Sequence, residues 1–267
     1  MYFKLFLVIF ILFIFLYYSR TYSGFDSSEF DVVVLAGPND FEVIDKTIKY
    51  NQINVIGYRN FYVITPSPEK VKIEGIIVIN EDIFPFNIHK DFEKIPSERR
   101  GWYLQQLIKL YASYCVPGIL DKYLIIDADT AFVKPIQFID ENGKYLYSTS
   151  SQNHFPYFEH MKRMHTDFEK THEESGICHH MFFEQNSVTE MFKMVETRHN
   201  KEFWKVFIES VDNSSSSGAS EYEIYFNFIV KYKKDDIVLR KLKALDVSSF
   251  DFPDDIDVIS VHWYGRK

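Results

Sequence analysis

Short apolar segments that end in turn residues recur along the first half of the chain. Runs that are apolar on both faces occur at residues 31–35 (DVVVL), 61–65 (FYVIT), 75–80 (GIIVIN) and 123–126 (YLII). Such runs are typical of buried strands in parallel sheets. The segment at residues 145–149 predicts a fifth strand.

Between these runs, apolar residues recur at helical spacing. Residues 41–50 have them at positions 41, 44 and 48, and residues 99–114 carry a core stripe of Leu104, Leu107, Ile108 and Tyr111. Helical segments are also predicted near 187–197 and 200–211. The alternation of strands and helices predicts an α/β architecture with a mostly parallel central sheet.

Polar residues follow two of the predicted strands. Asn39-Asp40 comes after the first strand, and Asp127-Ala128-Asp129 comes after the fourth. Ligands of parallel α/β sheets bind beyond the carboxyl ends of the strands. We therefore expect both polar segments to open onto one crevice.

The N-terminal segment differs from the rest of the chain. Lys4 and Arg20 bracket an uncharged run, LFLVIFILFIFLYY, and the apolar length approaches the roughly 18 residues that a spanning helix needs. This predicts a membrane signal-anchor over residues 1–20, with a cleaved signal peptide as the alternative. The charge bias favours a single-pass protein with a cytoplasmic N-terminus and a lumenal or extracytoplasmic domain. We expect a short stem at 21–29 and one folded domain at 30–267.

Composition excludes several classes of protein. Lys and Arg number 30 against 38 Asp and Glu, for a formal net charge of −8, so we expect no nucleic-acid partner. Two cysteines, Cys115 and Cys178, are too few for a disulfide framework or a four-cysteine zinc site. The six histidines within 154–180 fit no single helical face, which argues against a zinc site there.

The strongest signal for chemistry is the segment LIIDADT at 124–130. Asp127 and Asp129 repel each other, and such a pair favours either a bound cation or a raised pKa. Mg²⁺ and Mn²⁺ take oxygen ligands of this kind and often bridge to phosphate oxygens. The alternative is a solvated turn in which an Asp caps a helix. A haloacid-dehalogenase-type phosphatase also has Asp-x-Asp after a strand, but its motif needs Thr or Val where this chain has Ala131.

The combination resembles a known enzyme class. An apolar strand followed by Asp-x-Asp, in an α/β domain behind a membrane anchor, resembles nucleotide-sugar glycosyltransferases of the GT-A fold. More narrowly, GWYLQQLIK at 101–109, SEYE at 220–223 and the late His262 are similar to a poorly characterised glycosyltransferase branch of bacteria and large DNA viruses. The resemblance covers residues 30–267. It implies a Rossmann-like three-layer fold with a mostly parallel central sheet, preceded by one membrane helix.

The resemblance also implies a metal-dependent site. In GT-A enzymes the Asp-x-Asp pair holds a divalent metal on the donor diphosphate, and a late His often adds a ligand. Asp127, Asp129 and His262 are therefore the expected ligands of Mn²⁺ or Mg²⁺, with Asp127 also near the donor ribose. Asp40 matches the position at which these enzymes bind the nucleoside. Without the resemblance, His262 would fit a core or surface histidine equally well.

Further candidates come from the residue pattern. Gln106 and Lys109 lie on the helix face opposite the leucine stripe, from which they could reach the donor nucleotide or its phosphates; a solvated face is the alternative. Glu221 and Glu223 are candidates for the general base of an inverting transferase. The alternative is that Ser220 caps a helix with Glu223 at the third position.

His179 and His180 follow Gly176 at a predicted strand start, and we expect them to line the acceptor pocket. Together, these observations predict a metal-dependent enzyme that moves a hexose or N-acetylhexosamine from a nucleoside-diphosphate sugar to a hydroxyl of a glycan or glycoprotein. The resemblance implies UDP as the expected nucleotide, because UDP is the commonest in the family. The alternative from another class is a membrane-tethered carbohydrate-binding or interaction protein on a degenerate transferase fold. The presence of both aspartates argues against degeneracy.

Overall fold

The structure, a computed structural model, describes residues 29–215 and 217–266. Among the helices of these two ranges, none combines the length and the apolar character that crossing a bilayer requires. The predicted membrane helix at 1–20 and nearly all of the predicted stem lie outside the described residues.

Strands and helices alternate through the first half of the described chain. The strands are β1 (Phe30–Leu35), β2 (Tyr58–Thr65), β3 (Ile77–Asn80), β4 (Lys122–Asp127), β5 (Thr130–Phe132), β6 (Tyr145–Ser148), β7 (His180–Glu184), β8 (Ile237–Arg240), β9 (Ala244–Asp246) and β10 (Val258–Ser260). The α-helices are α1 (Ile44–Asn54), α2 (Ser97–Cys115), α3 (Phe155–Met164), α4 (Gln185–His199), α5 (Phe203–Glu209) and α6 (Glu221–Tyr232).

The central sheet has five strands in the order β3-β2-β1-β4-β7. The first four are parallel, and β7 runs antiparallel to β4. The predicted mixed α/β architecture with a mostly parallel central sheet is therefore confirmed. Every residue of β1 is buried, because this strand pairs on both edges and carries apolar side chains apart from Asp31, whose carboxylate pairs with Arg59 at 2.7 Å.

Two strand predictions need correction. The strand β3 forms, but it lies at the edge of the sheet. Ile77 is 41% exposed, so the strand is not buried on both faces although its residues are mostly apolar. The predicted fifth strand forms as β6, yet it pairs with β8 in a separate two-stranded sheet. The fifth member of the central sheet is β7. Its place depends on pairing with β4, more than 50 residues earlier in the chain, and no local pattern encodes such a pairing.

Helix α2 has the predicted core stripe, in which Leu104, Leu107 and Ile108 are buried. The opposite side is not solvated: Gln106 is 1% exposed and Lys109 is 4% exposed. The alternative of a solvated polar face is therefore wrong for these two residues. Helix α6 covers the polar side of α2, so both sides of α2 are packed.

A second sheet, in the order β5-β10-β9, lies directly after the Asp-x-Asp segment. Strand β10 pairs antiparallel with β5 and parallel with β9. This sheet brings the C-terminal part of the chain next to the end of β4.

Candidate active site

A cleft of about 610 Å³ opens at the carboxyl ends of β1 and β4. The chain order reverses between these two strands, since β2 lies on one side of β1 and β4 on the other. Such a reversal is where open α/β sheets bind ligands. Asp40, Asp127 and Asp129 all line this cleft, so the prediction that the two polar strand ends share one crevice is confirmed.

Helix α1 holds the Asp-x-Asp segment in place through a stripe of buried polar side chains. Thr47 donates to the carbonyl of Ala128 at 2.7 Å, and Asn51 donates to the carbonyl of Thr130 at 2.9 Å. Asn51 also accepts from the backbone N–H of Phe132 at 2.8 Å. These side chains pair the helix with a strand edge, which satisfies buried backbone groups that would otherwise be left unpaired.

Asp127 is the most heavily hydrogen-bonded acid of the cleft. Its Oδ1 accepts from Lys109 Nζ at 2.7 Å and from the Tyr222 hydroxyl at 2.7 Å. Its Oδ2 lies 3.3 Å from Nδ1 of His179. Burial by itself raises the pKa of Asp127, but the Lys109 charge and the His179 contact outweigh burial and hold that pKa below its usual range. Asp127 is therefore ionised and already partnered.

Lys109 lies beneath the cleft between two carboxylates. Its Nζ is 2.7 Å from Asp127 and 2.6 Å from Oε1 of Glu221, and it also lies 4.2 Å from the centre of the Tyr222 ring. Burial lowers the pKa of Lys109, but the two acidic charges reverse that effect and raise it overall. The ammonium thus stays charged and fixes the position of Asp127.

Asp129 meets the late histidine across the cleft. Oδ2 of Asp129 is 2.9 Å from Nδ1 of His262, and the other ring nitrogen of His262, Nε2, lies 3.4 Å from Oδ1 of Asp246. The hydrogen bond with Asp129 raises the pKa of His262. Strand β10 produces this contact, because the N–H of Val261 donates to the carbonyl of Asp129 at 2.8 Å.

His179 lines the same cleft. Its backbone has a φ of 60°, in the left-handed region that non-glycine residues rarely occupy. Its carbonyl accepts from the N–H of Asp127 at 2.9 Å, and its ring centre is 5.0 Å from that of His262. His179 therefore belongs to the acidic cluster rather than to a separate pocket.

Asp40, after the end of β1, is a further acid that lines the cleft. Its Oδ2 accepts from the N–H of Gly37 at 2.8 Å. Burial, with a further contribution from the negative charge of Asp129, raises the pKa of Asp40 to about 6. The positive charge of Arg266, whose guanidinium lies 3.9 Å from Oδ1 of Asp40, opposes this rise but does not cancel it.

Polar and aromatic groups complete the cleft. Arg99, Trp102 and Gln105 of α2 line it. Trp263 and Tyr264 line it as well, and they are 60% and 73% exposed. Large exposed aromatic rings beside a polar cleft offer flat surfaces on which a base or a sugar can stack.

Several predicted site residues do not line the cleft. Gln106 is buried and accepts from the N–H of Glu221 at 3.1 Å. His180 is 3% exposed, with Nε2 2.9 Å from the Ser148 hydroxyl, and burial lowers its pKa to about 3. His180 faces the packed interior because side chains alternate along a strand, so the structure gives no support to an acceptor-pocket role.

The two glutamates of α6 lie in separate networks. Glu221 is 4% exposed and pairs with Lys109. Glu223 is fully buried, and its Oε2 accepts from the Ser175 hydroxyl and from the N–H of Gly176. Ser220 also caps the helix by accepting from the N–H of Glu223 at 3.2 Å, as the structural alternative predicted. Neither carboxylate reaches the cleft.

Sequence reasoning missed two members of the site. The hydroxyl of Tyr222 donates a hydrogen bond to Asp127. In the sequence, this tyrosine lies between Glu221 and Glu223, and only these two glutamates were predicted to be site residues. Asp246 approaches His262 from the end of β9. No local motif marks Asp246; only the parallel pairing of Ser260 with Asp246 brings it next to His262.

The fold and the site define an α/β protein with an acidic, histidine-containing cleft at the reversal of its strand order. Residues 28–247 match the model of a family of unknown function, DUF6492, and the chain belongs to that family. The matched range includes Asp40, Asp127, Asp129 and Asp246 and ends before His262. No curated protein matches the chain.

Proposed function

We propose that this protein is a metal-dependent glycosyltransferase of the GT-A type. It would transfer a sugar from a nucleoside-diphosphate sugar, with UDP as the first candidate nucleotide, to a hydroxyl of a glycan or glycoprotein. One observation carries the proposal: both carboxylates of the Asp-x-Asp segment line a cleft at the strand-order reversal, with His262 2.9 Å from Asp129.

The donor set suits a divalent cation. Carboxylates and imidazoles converge on one cleft, and Asp129 lies close enough to Asp40 for its negative charge to add to the effect of burial in raising the pKa of Asp40. Asp127, Asp129 and His262 are the ligands expected from the sequence, and the geometry adds His179 and Asp246 to the candidates. A bound divalent ion would supply Lewis-acid stabilisation of the charge that develops on a leaving diphosphate.

The remaining groups fit a nucleotide-sized ligand. A cleft of about 610 Å³ falls within the range of small-molecule sites, roughly 300–1,000 Å³. The carboxylate of Asp40 can accept from ribose hydroxyls, and the exposed ring of Trp263 can stack on the base or the sugar. We expect Trp263→Ala to weaken nucleotide binding by about 1–3 kcal/mol, the usual contribution of base stacking.

The proposed reaction breaks the bond between the anomeric carbon and the diphosphate oxygen. A bond forms between the acceptor oxygen and that carbon, the acceptor proton passes to a base, and the nucleoside diphosphate leaves. Glu221 is too enclosed by its ion pair with Lys109 to be that base in this geometry. Its role in our proposal is to position Lys109, and through it Asp127.

The apolar segment at 1–20 would tether the enzyme to a membrane.

A panel of nucleotide sugars tests the proposal. Each is added to the full chain with and without Mn²⁺, and thermal stability and release of nucleoside diphosphate are measured. Binding to the folded state raises the melting temperature by mass action, so one donor should give a metal-dependent shift together with hydrolysis.

Asp129→Asn should abolish the release of nucleoside diphosphate. Asp235→Asn serves as the matched control, because Asp235 is exposed in the short 3₁₀-helix at Lys234–Asp236 and does not line the cleft. Donor binding without turnover would instead favour the carbohydrate-binding alternative. Absence of both binding and turnover across the panel would contradict the proposal.

A further inference from the structure

Each carboxylate of the Asp-x-Asp segment faces one imidazole. Asp127 lies 3.3 Å from Nδ1 of His179, and Asp129 lies 2.9 Å from Nδ1 of His262. Histidines that bind metals commonly donate their second ring N–H to a carboxylate, which fixes the tautomer and aims the other nitrogen at the ion. Two such pairs side by side leave two Nε2 atoms for a ligand.

A third ligand stands next to them. Nε2 of His262 lies 3.4 Å from Oδ1 of Asp246. His179, His262 and Asp246 each offer one ligand atom, and the three atoms lie within 4.8 Å of one another. Two ligands at about 2.1 Å from one ion are separated by at most about 4.2 Å, so small side-chain rotations would close the set.

Asp127 is poorly placed to bind an ion directly. Three donors already contact its two oxygens, and two of them, the ammonium of Lys109 and the hydroxyl of Tyr222, lie 2.7 Å from Oδ1. A metal would have to compete with this buried positive charge for the same carboxylate. The left-handed backbone of His179 is further evidence, because strained conformations concentrate at functional sites.

We infer that His179, Asp246 and His262 form a site for a divalent transition metal, in which Asp127 and Asp129 orient the two imidazoles. This differs from the ligand set expected from the sequence, in which both aspartates contact the ion. The inference deepens the proposed function and rests on it for the link to sugar transfer. The ion affinity itself is independent of any donor.

The ligand chemistry predicts which ion binds. Imidazole nitrogens suit Zn²⁺, Co²⁺ and related ions, whereas Mg²⁺ prefers oxygen ligands alone. We therefore expect Co²⁺ to bind far more tightly than Mg²⁺, with Mn²⁺ between them. Mg²⁺ binding as tightly as Co²⁺ would indicate a carboxylate site and would overturn the inference.

Titration calorimetry of the full chain with each ion alone, without nucleotide sugar, tests the ligand set. Asp246→Asn and His179→Asn should each weaken Co²⁺ binding by at least about tenfold, the scale of even indirect changes at metal sites. Asn tolerates the left-handed backbone at position 179, and Asp246 is exposed, so both variants should fold. Asp235→Asn and His89→Asn, both at exposed positions, are the matched controls.

Visible absorption of bound Co²⁺ separates ligands from orienting groups. At saturating Co²⁺, Asp246→Asn should change the spectrum, whereas Asp129→Asn should bind Co²⁺ more weakly but keep the spectrum. Unchanged affinity in Asp246→Asn, or an altered spectrum in Asp129→Asn, would overturn the assignment. Because no donor is present, loss of metal binding and loss of transferase activity are separate results.

Discussion

Replacing Lys109 by Met removes the cation that lies between the buried Glu221 and the partly buried Asp127. The ammonium is 5% exposed and lies 2.7 Å from Asp127 and 2.6 Å from Glu221. Met keeps the length of the side chain but leaves both acids without their shared partner. Breaking one buried ion pair typically costs about 3–5 kcal/mol, and here two pairs are broken, so we expect a loss near 5 kcal/mol in the free energy of unfolding.

Urea denaturation at pH 7 measures this loss, provided that the slope with denaturant stays constant. Lys201→Met is the matched control, because Lys201 pairs with Glu209 at the same distance of 2.7 Å but both side chains are about half exposed. An exposed pair contributes at most about 1 kcal/mol. If Lys109→Met were no more destabilising than Lys201→Met, the electrostatic account of the site would be refuted.

The pair Lys109 and Glu221 also permits a double-mutant cycle. Glu221→Gln removes one of the two charges that Lys109 balances, so Lys109→Met in that background leaves a single unpaired acid. We expect the double variant to be more stable than the sum of the two single losses predicts, with a coupling of about 1–3 kcal/mol. Additive losses would show that the two side chains do not interact.

Three further predictions concern parts of the fold outside the cleft. Asn51→Ala removes two buried hydrogen bonds to β5 and should lower the free energy of unfolding, measured in urea, by about 2–4 kcal/mol. A loss below about 1 kcal/mol would show that these hydrogen bonds do not hold β5 in place. Gly176→Ala places a Cβ 2.4 Å from the Phe226 side chain and should lower the melting temperature, whereas Gly101→Ala, in a helix with open space around it, should raise it. Burial lowers the pKa of His160 from 6.5 to about 4. Between these two pKa values the unfolded chain binds a proton at this histidine that the folded chain does not. The free energy of unfolding should therefore fall by about 3 kcal/mol on account of His160 as the pH falls from 6.5 to 4. In His160→Gln the fall in stability over this pH range should be smaller by that amount, and an unchanged profile would contradict the burial argument.

Local pattern was a reliable guide where one element carries its own signal. The apolar runs that became β1, β2 and β4 occupy the predicted positions, because strands paired on both edges and covered on both faces admit few polar side chains. The stripe of α2 was recognised because its buried leucines and isoleucine recur at helical spacing. The polar strand ends at Asp40 and Asp127 then followed from the direction of the parallel strands.

The site was less predictable because its contacts join distant parts of the chain. Glu221 was a reasonable acid to choose, but the sequence could not show that Lys109 lies 2.6 Å away and takes up its charge. Asp246 has no motif, and it reaches His262 only through the pairing of β9 with β10. The polar stripe of α1 was likewise hidden, because its partners are backbone groups of Ala128 and of β5.

The amino-acid sequence alone determined the alternation of strands and helices in the first half of the chain, the parallel core of the central sheet and the acidic pair at the end of β4, because these depend on periodicity and on residues close together in the chain. Only the tertiary structure decided which imidazole faces which carboxylate, which glutamate is enclosed by an ion pair and which aspartate completes the cluster. Such choices depend on distances between residues separated by up to 133 positions, as for Asp129 and His262. Packing of the whole chain sets these distances, and no local pattern encodes them.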